Sequence, residues 1–229
     1  MWNKIVFGGL WLGFVGYAFL LAPPDRPDTL PLIINLSTGK WTGINPLIIA
    51  LFNLMGILPM VYACLILIDG KIQKLPAGVF SAISFGVGAF AILPYLAIRQ
   101  SLSGVEVERI RSNGIDRGGI IKLIDSRWLG VALTIGTSIL LVYGITQGNW
   151  PDFVRQWQTS RFIHVMSLDF CLLTLLLPVA ISDDINLRHF TNPQTIKLLS
   201  WLPLFGALIY LCTRPNLIDA NNRSSQKLV

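Results

Sequence analysis

The chain has 229 residues, 53% of them hydrophobic and only 13% charged, with a mean hydropathy of +0.61. Soluble domains carry about 25% charged residues, so this chain has too little polar surface for a water-facing fold, and lipid is the solvent that suits it. The net charge of +6 does not mark a nucleic-acid-binding protein, because the lysines and arginines fall between apolar runs rather than on one basic face.

A membrane-crossing helix needs roughly 17–25 mostly apolar residues, and its backbone polar groups must be satisfied within the segment. Six runs meet that requirement and predict an all-α, six-span transmembrane bundle. The first, Ile5–Ala22, is too long for a signal-peptide core, is preceded only by Lys4, and lacks the small residue expected three before a cleavage point, so it reads as a retained span. It carries Gly9, Gly13 and Gly16, a G-x-x-x-G pattern for close helix contact. Pro46–Ile68 is the second run and Pro76–Ile98 the third. In the third, Ala77, Ser81, Ser84, Gly88, Ala91 and Tyr95 recur every three or four residues and predict one smooth helical face.

The polar connection Arg99–Arg127 follows, its second half (Ile120 to Ile124) reading as a short interfacial helix. Trp128–Ile145, Ile163–Ile181 and Thr195–Leu211 complete the set; the last is the shortest and contains Pro203. Residues 1–215 are thus expected to form a single membrane domain, and 216–229 a polar, disordered tail. Trp2, Trp41, Trp128, Trp150 and Trp157 sit at or near the ends of these runs, where amphipathic rings favour the head-group zone. Six spans divide the basic residues eight to ten between the two sides, which does not set an orientation.

The two halves share sparse features at offsets of 114 to 124 residues: Trp11-Leu12-Gly13 with Trp128-Leu129-Gly130, Pro27-Asp28 with Pro151-Asp152, Asp69 with Asp183, and Tyr95…Arg99 with Tyr210…Arg214. A duplication of three spans would give a 3+3 inverted repeat. Aromatic and charged residues gather at span ends in any case, so chance placement accounts for the same matches.

Asp169 is the leading candidate for function. It lies about seven residues into the fifth run, roughly 10 Å below the interface. An ionisable group there reads as a pathway or relay, or else as a structural carboxyl bonded to a neighbouring helix. His164, Ser167, Cys171 and Thr174 share another face of that run, about 140° from Asp169, so the fifth run should be central in the bundle. Antiparallel depth matching brings Tyr62 and Ser84 to the height of Asp169. Asp183 and Asp184, with Asp25 and Asp28 on the same predicted side, form a candidate acidic surface cluster, for which capping and a topology stop are the simpler account. Cys64, Cys171 and Cys212 are too scattered for a disulfide framework or a zinc site. With only His164 and His189, bis-histidine haem is disfavoured, and neither a metal nor a cofactor is expected. The chain has no P-loop, H-E-x-x-H, G-x-S-x-G or dinucleotide fingerprint, so an enzyme is not expected.

Trp11 to Phe14, Ala22-Pro23-Pro24-Asp25, Asn45-Pro46 through Phe52-Asn53-Leu54-Met55-Gly56, and Phe162 through Phe170 followed by Asp183-Asp184 carry a resemblance. They resemble an uncharacterised integral membrane protein family of cyanobacteria with plastid relatives, a domain-of-unknown-function family. The family's Asp-Asp-Met-Ala-Arg-Arg is here Asp183-Asp184-Ile185-Asn186-Leu187-Arg188, which does not support a role needing two adjacent arginines. The resemblance implies a thylakoid or plasma membrane of a photosynthetic cell and no particular activity. Three readings follow: a scaffold or assembly factor packing against other membrane proteins, a small proton-coupled or ion transporter using Asp169, and a pigment-binding protein using His164.

Overall fold

The computed structural model describes residues 2–68, 76–100, 119–188, 193–215 and 217, and every regular element among them is helical. Asp69 and His189, most of the polar connection and nearly all of the tail lie outside the described residues.

The first apolar run forms α1 (Trp2–Gly16) and continues without a break through a π-helical turn, Tyr17–Leu21. It stops before Pro23 and Pro24, which cannot supply the N–H that a helix needs. A short α2 (Thr29–Ser37) leads to α3 (Pro46–Ile66), whose start is set by Asn45: its side chain accepts from the Leu47 N–H at 3.1 Å, and Pro46 occupies the first turn. Next come α4 (Ala77–Val87) and α5 (Ala89–Ile98), then α6 (Gly119–Asp125) on the expected interfacial stretch. The helix α7 (Arg127–Gln147) is capped by Ser126, and α8 (Trp150–Thr159) by Asn149. The longest helix is α9 (Arg161–Arg188), followed by α10 (Pro193–Leu199) and α11 (Phe205–Thr213).

Among the described residues, four helices are long and apolar enough to cross a membrane: Lys4–Leu21, Pro46–Ile66, Arg127–Gln147 and Arg161–Arg188. The chain is a polytopic integral membrane protein built as an all-α bundle.

The third and sixth apolar runs depart from the sequence expectation. Phe80 and Tyr95 are fifteen residues apart, which along one straight helix would separate them by about 22 Å. Their rings are instead 5.5 Å apart, so α4 and α5 fold back on one another as a hairpin. Its tip is Gly88, at φ 55° and ψ −124°, a backbone state open to glycine and closed to residues with a Cβ. The predicted smooth face is buried, but it is divided between the two arms. The sixth run breaks between α10 and α11, where Pro203 removes a donor and Leu204, at φ 61°, makes a tight turn with the Phe205 N–H donating to the Pro203 carbonyl at 2.6 Å.

The hairpin changes which loops share an end of the bundle. Asn45 donates to the Asn149 carbonyl at 2.8 Å, and the Arg161 guanidinium donates to the Pro23 carbonyl at 3.0 Å. The end of α1, the starts of α3 and α9, the end of α7 and all of α8 therefore meet at one end. At the other, Arg214 donates to the Cys64 carbonyl at 2.8 Å and Arg99 pairs with Asp183 at 3.1 Å. A six-crossing count would put the segments 23–45 and 146–162 on opposite sides, whereas here they touch. The fold-back of α4–α5 is the physical reason.

Tyr62, Tyr95 and Tyr210 fill the centre, each 2% exposed or less. Small residues set the closest approaches: a Cβ built on Gly130 would lie 2.8 Å from the Leu211 backbone carbon, and one on Gly144 2.7 Å from the Ala50 Cβ. Gly130→Leu should therefore cost about 1–3 kcal/mol through overpacking between α7 and α11. Gly13→Ala, with nothing within 4 Å of its built Cβ, should leave the thermal midpoint in detergent within a degree or so. Equal midpoints for the two variants would mean that α7 and α11 are not in close contact.

Candidate functional site

Asp169 lies two turns into α9, about 12 Å along the axis from Arg161. It is 5% exposed, and its Oδ1 accepts from the Ala89 N–H at 2.7 Å. Breaking the third run at Gly88 frees the first amides of α5, and a carboxylate is the natural cap for that partly positive end. The fit is close, because a Cβ on Gly88 would stand 1.9 Å from Asp169 Oδ2. Asp169 thus pins the tip of the hairpin to the interior of α9.

The same carboxyl lines a crevice of about 400 Å³. One wall is Ala18 and Phe19 from the π turn, another Phe52, Met55 and Gly56 from α3. The hairpin tip supplies Ser84 to Gly88 and Phe90, and α9 supplies Phe162, Val165 and Met166. Asp25, Thr29 and Arg161 complete the lining, with Arg161 Nη1 donating to Asp25 Oδ2 at 2.8 Å. Phe19, Phe85 and Val87 are all exposed, so the crevice opens between α1 and the hairpin onto the apolar flank of the bundle.

The other residues singled out by sequence are placed differently. Ser84 shares the crevice with Asp169, but its hydroxyl donates to the Ser81 carbonyl at 2.6 Å. Tyr62 donates to the Leu173 carbonyl at 2.7 Å, bridging α3 and α9 rather than reaching Asp169. Ser167 bonds back to the Ile163 carbonyl at 2.7 Å within its own helix. His164 is stacked on Trp157 at 4.3 Å, with Nδ1 3.0 Å from the Trp157 carbonyl and Nε2 2.8 Å from the Tyr17 hydroxyl. A carbonyl only accepts, so the neutral ring holds its proton on Nδ1 and Nε2 accepts from Tyr17. Neither nitrogen is left for a pigment metal. His164 ties α1 and α8 to α9 instead.

The four acidic residues expected as one surface cluster lie apart. Asp25 pairs with Arg161 and Asp28 with Arg26 at the α8 end, while Asp183 pairs with Arg99 at the far end. Asp184 is fully buried within α9, because that helix runs past the expected stop at Ile181 to Arg188. Its Oδ2 accepts from Arg188 Nε at 2.8 Å, Tyr210 Oη at 2.7 Å and Arg214 Nη1 at 3.1 Å. Arg188 also pairs with Asp125 at 2.7 Å, and Arg214 donates to the Ile124 carbonyl. Two arginines and two aspartates thus form a charge-balanced node joining α3, α6, α9 and α11. Sequence reading missed it, although the i, i+4 spacing of Asp184 with Arg188 and of Tyr210 with Arg214 was a signal available there.

At the α8 end, Asp152 joins α8 to α3. The hydrogen bond from Asn45 is the main influence holding its carboxyl below the ordinary value, helped by Gln156 and Arg155. A lowered folded value means that the contribution of Asp152 is complete above the ordinary carboxylate range and is lost as pH falls through the folded value. The midpoint difference between the wild type and Asp152→Asn should therefore be present at pH 7 and shrink steadily on acidification. A difference independent of pH would show that Asp152 does not latch α8.

No known protein family, no curated protein and no solved structure matches this chain.

Proposed function

We propose that the protein binds a small, largely apolar molecule taken from the bilayer into the crevice between α1, α3, the hairpin and α9, as a carrier or sensor rather than an enzyme. The observation that carries this reading is the coincidence of three features in one place: a cavity of about 400 Å³, an opening on the apolar flank, and a buried carboxyl that also holds a hairpin tip. Cavities of this size suit small ligands, and discontinuous helices with a half-helix terminus at a charged group are a recurrent feature of membrane carriers.

The order of elements supports a duplication: a long helix, a short one, a long one and a broken pair, twice. In our reading each half makes two crossings, through α1 and α3 and then α7 and α9, followed by a re-entrant pair. An even number of crossings makes the halves parallel, in place of the inverted 3+3 arrangement. Gly144 and Ala50 close the α3–α7 seam. The crevice occupies the corresponding seam between α9 and α1. A photosynthetic membrane, implied by the resemblance, is part of the same proposal.

Gly56→Phe tests the site, since Gly56 lines the crevice and nothing lies within 4 Å of its built Cβ. Native mass spectrometry should find one 1-aminoanthracene bound to the wild type and none to a Gly56→Phe protein of unchanged thermal midpoint. Equal binding by both would refute the assignment.

A scaffold role has one specific observation in its favour. Gly9 and Gly13 lie on the outside of α1 with nothing within 4 Å of their built Cβ atoms, so none of the described residues packs on this G-x-x-x-G face. Gly9→Leu should abolish any co-migrating partner on native gels while sparing 1-aminoanthracene binding.

A further inference from the structure

The charge inventory of the crevice points to one class of occupant. Its lining carries Asp25, Asp169 and Arg161. Arg161 is already committed at the rim, with Nη1 on Asp25 at 2.8 Å and Nε on the Pro23 carbonyl at 3.0 Å. Asp169 has no cationic partner among the described residues: its contact is the Ala89 N–H on Oδ1, and Oδ2 is left to accept from an occupant. The lining therefore holds one uncompensated acid, set among aromatic walls that include Phe52, Phe90 and Phe162. Aromatic faces attract cations, more strongly where water is excluded.

We propose that the crevice selects lipophilic organic cations, seating an ammonium group against Asp169 Oδ2 and its apolar body among the phenylalanine rings. This rests on the crevice being a binding site at all. A carboxylate-bearing ligand would face Asp169 with no free arginine to offset it, and a neutral alcohol can donate one hydrogen bond but gains neither the charge pair nor the ring attraction. The fold already buries the Asp169 carboxyl, so a cation entering the crevice relieves a charge that is otherwise left unpaired there.

Three molecules with one body and different heads test it: 4-phenylbutylamine, 4-phenylbutanol and 4-phenylbutyrate. Binding is measured by equilibrium dialysis against the full chain in phosphatidylcholine nanodiscs, with empty nanodiscs subtracted for partitioning. The wild type should bind the amine at least tenfold more tightly than the alcohol and should not bind the acid measurably. Asp169→Asn, whose amide oxygen still accepts from Ala89, should bind amine and alcohol within about threefold of each other. Equal binding of all three heads by the wild type, or an amine preference that survives Asp169→Asn, would overturn the cation assignment while leaving the crevice as a site. If none of the three binds, or if Gly56→Phe leaves all binding unchanged, the crevice reading itself falls. The head-group comparison uses the unaltered protein, so the result does not depend on any variant folding.

Discussion

Gly88→Ala should destabilise the protein by about 4 kcal/mol. Two penalties combine. Forcing a Cβ into φ 55°, ψ −124° costs about 1–3 kcal/mol in backbone strain. The same Cβ would stand 1.9 Å from Asp169 Oδ2, so the carboxyl must leave and the buried Ala89 N–H loses its acceptor, at about 1–3 kcal/mol more. Asp169→Asn keeps an acceptor and should cost only about 1 kcal/mol, the difference between a charged and a neutral hydrogen bond. The double variant Gly88→Ala, Asp169→Ala removes the clash but not the strain, so its loss should be smaller than the sum of the two single variants. Unfolding titrations in mixed micelles measure the wild type, Gly88→Ala, Asp169→Asn, Asp169→Ala and the double variant. A Gly88→Ala variant within 0.5 kcal/mol of wild type would mean that the hairpin does not turn at this residue.

Asp184→Asn is the second large effect, at about 3–5 kcal/mol. The node balances Arg188 and Arg214 against Asp184 and Asp125, all four 7% exposed or less. Neutralising Asp184 leaves two guanidinium groups facing one carboxylate in a buried setting, and it weakens three hydrogen bonds that converge on a single oxygen. Adding Arg214→Gln to Asp184→Asn restores neutrality and should recover part of the loss, giving a positive coupling in a double-mutant cycle. Strict additivity would show that the charges are screened and that the node is not buried.

The two variants probe opposite ends of α9. Gly88 and Asp169 shape the crevice, whereas the arginine node sits at the opposite end of α9 and fastens α11 and α6 to it. Per folded molecule, Gly88→Ala should therefore lose ligand binding, whereas Asp184→Asn should keep it.

Composition and patterning alone set the solvent and the element type. Low charge and long apolar runs require lipid, and lipid requires helices, because each backbone donor must find its acceptor along its own segment. The same pattern places Asp169 at depth in the fifth run, where it is buried, whereas Cys171 on the second polar face of that run is exposed. The course of the third and sixth runs depends instead on packing. Hydropathy measures transfer to lipid and is blind to direction, so Pro76–Ile98 scores as a span whether it crosses or returns. The return depends on a capping carboxyl eighty residues away, from Asp169 to Ala89, and no local window contains that contact. The arginine node is local only in part: Arg188 stands four residues from Asp184, whereas Arg214 and Asp125 reach it from other helices. In each case a buried carboxyl finds its partner across the fold, a backbone N–H for Asp169 and the Arg214 guanidinium for Asp184.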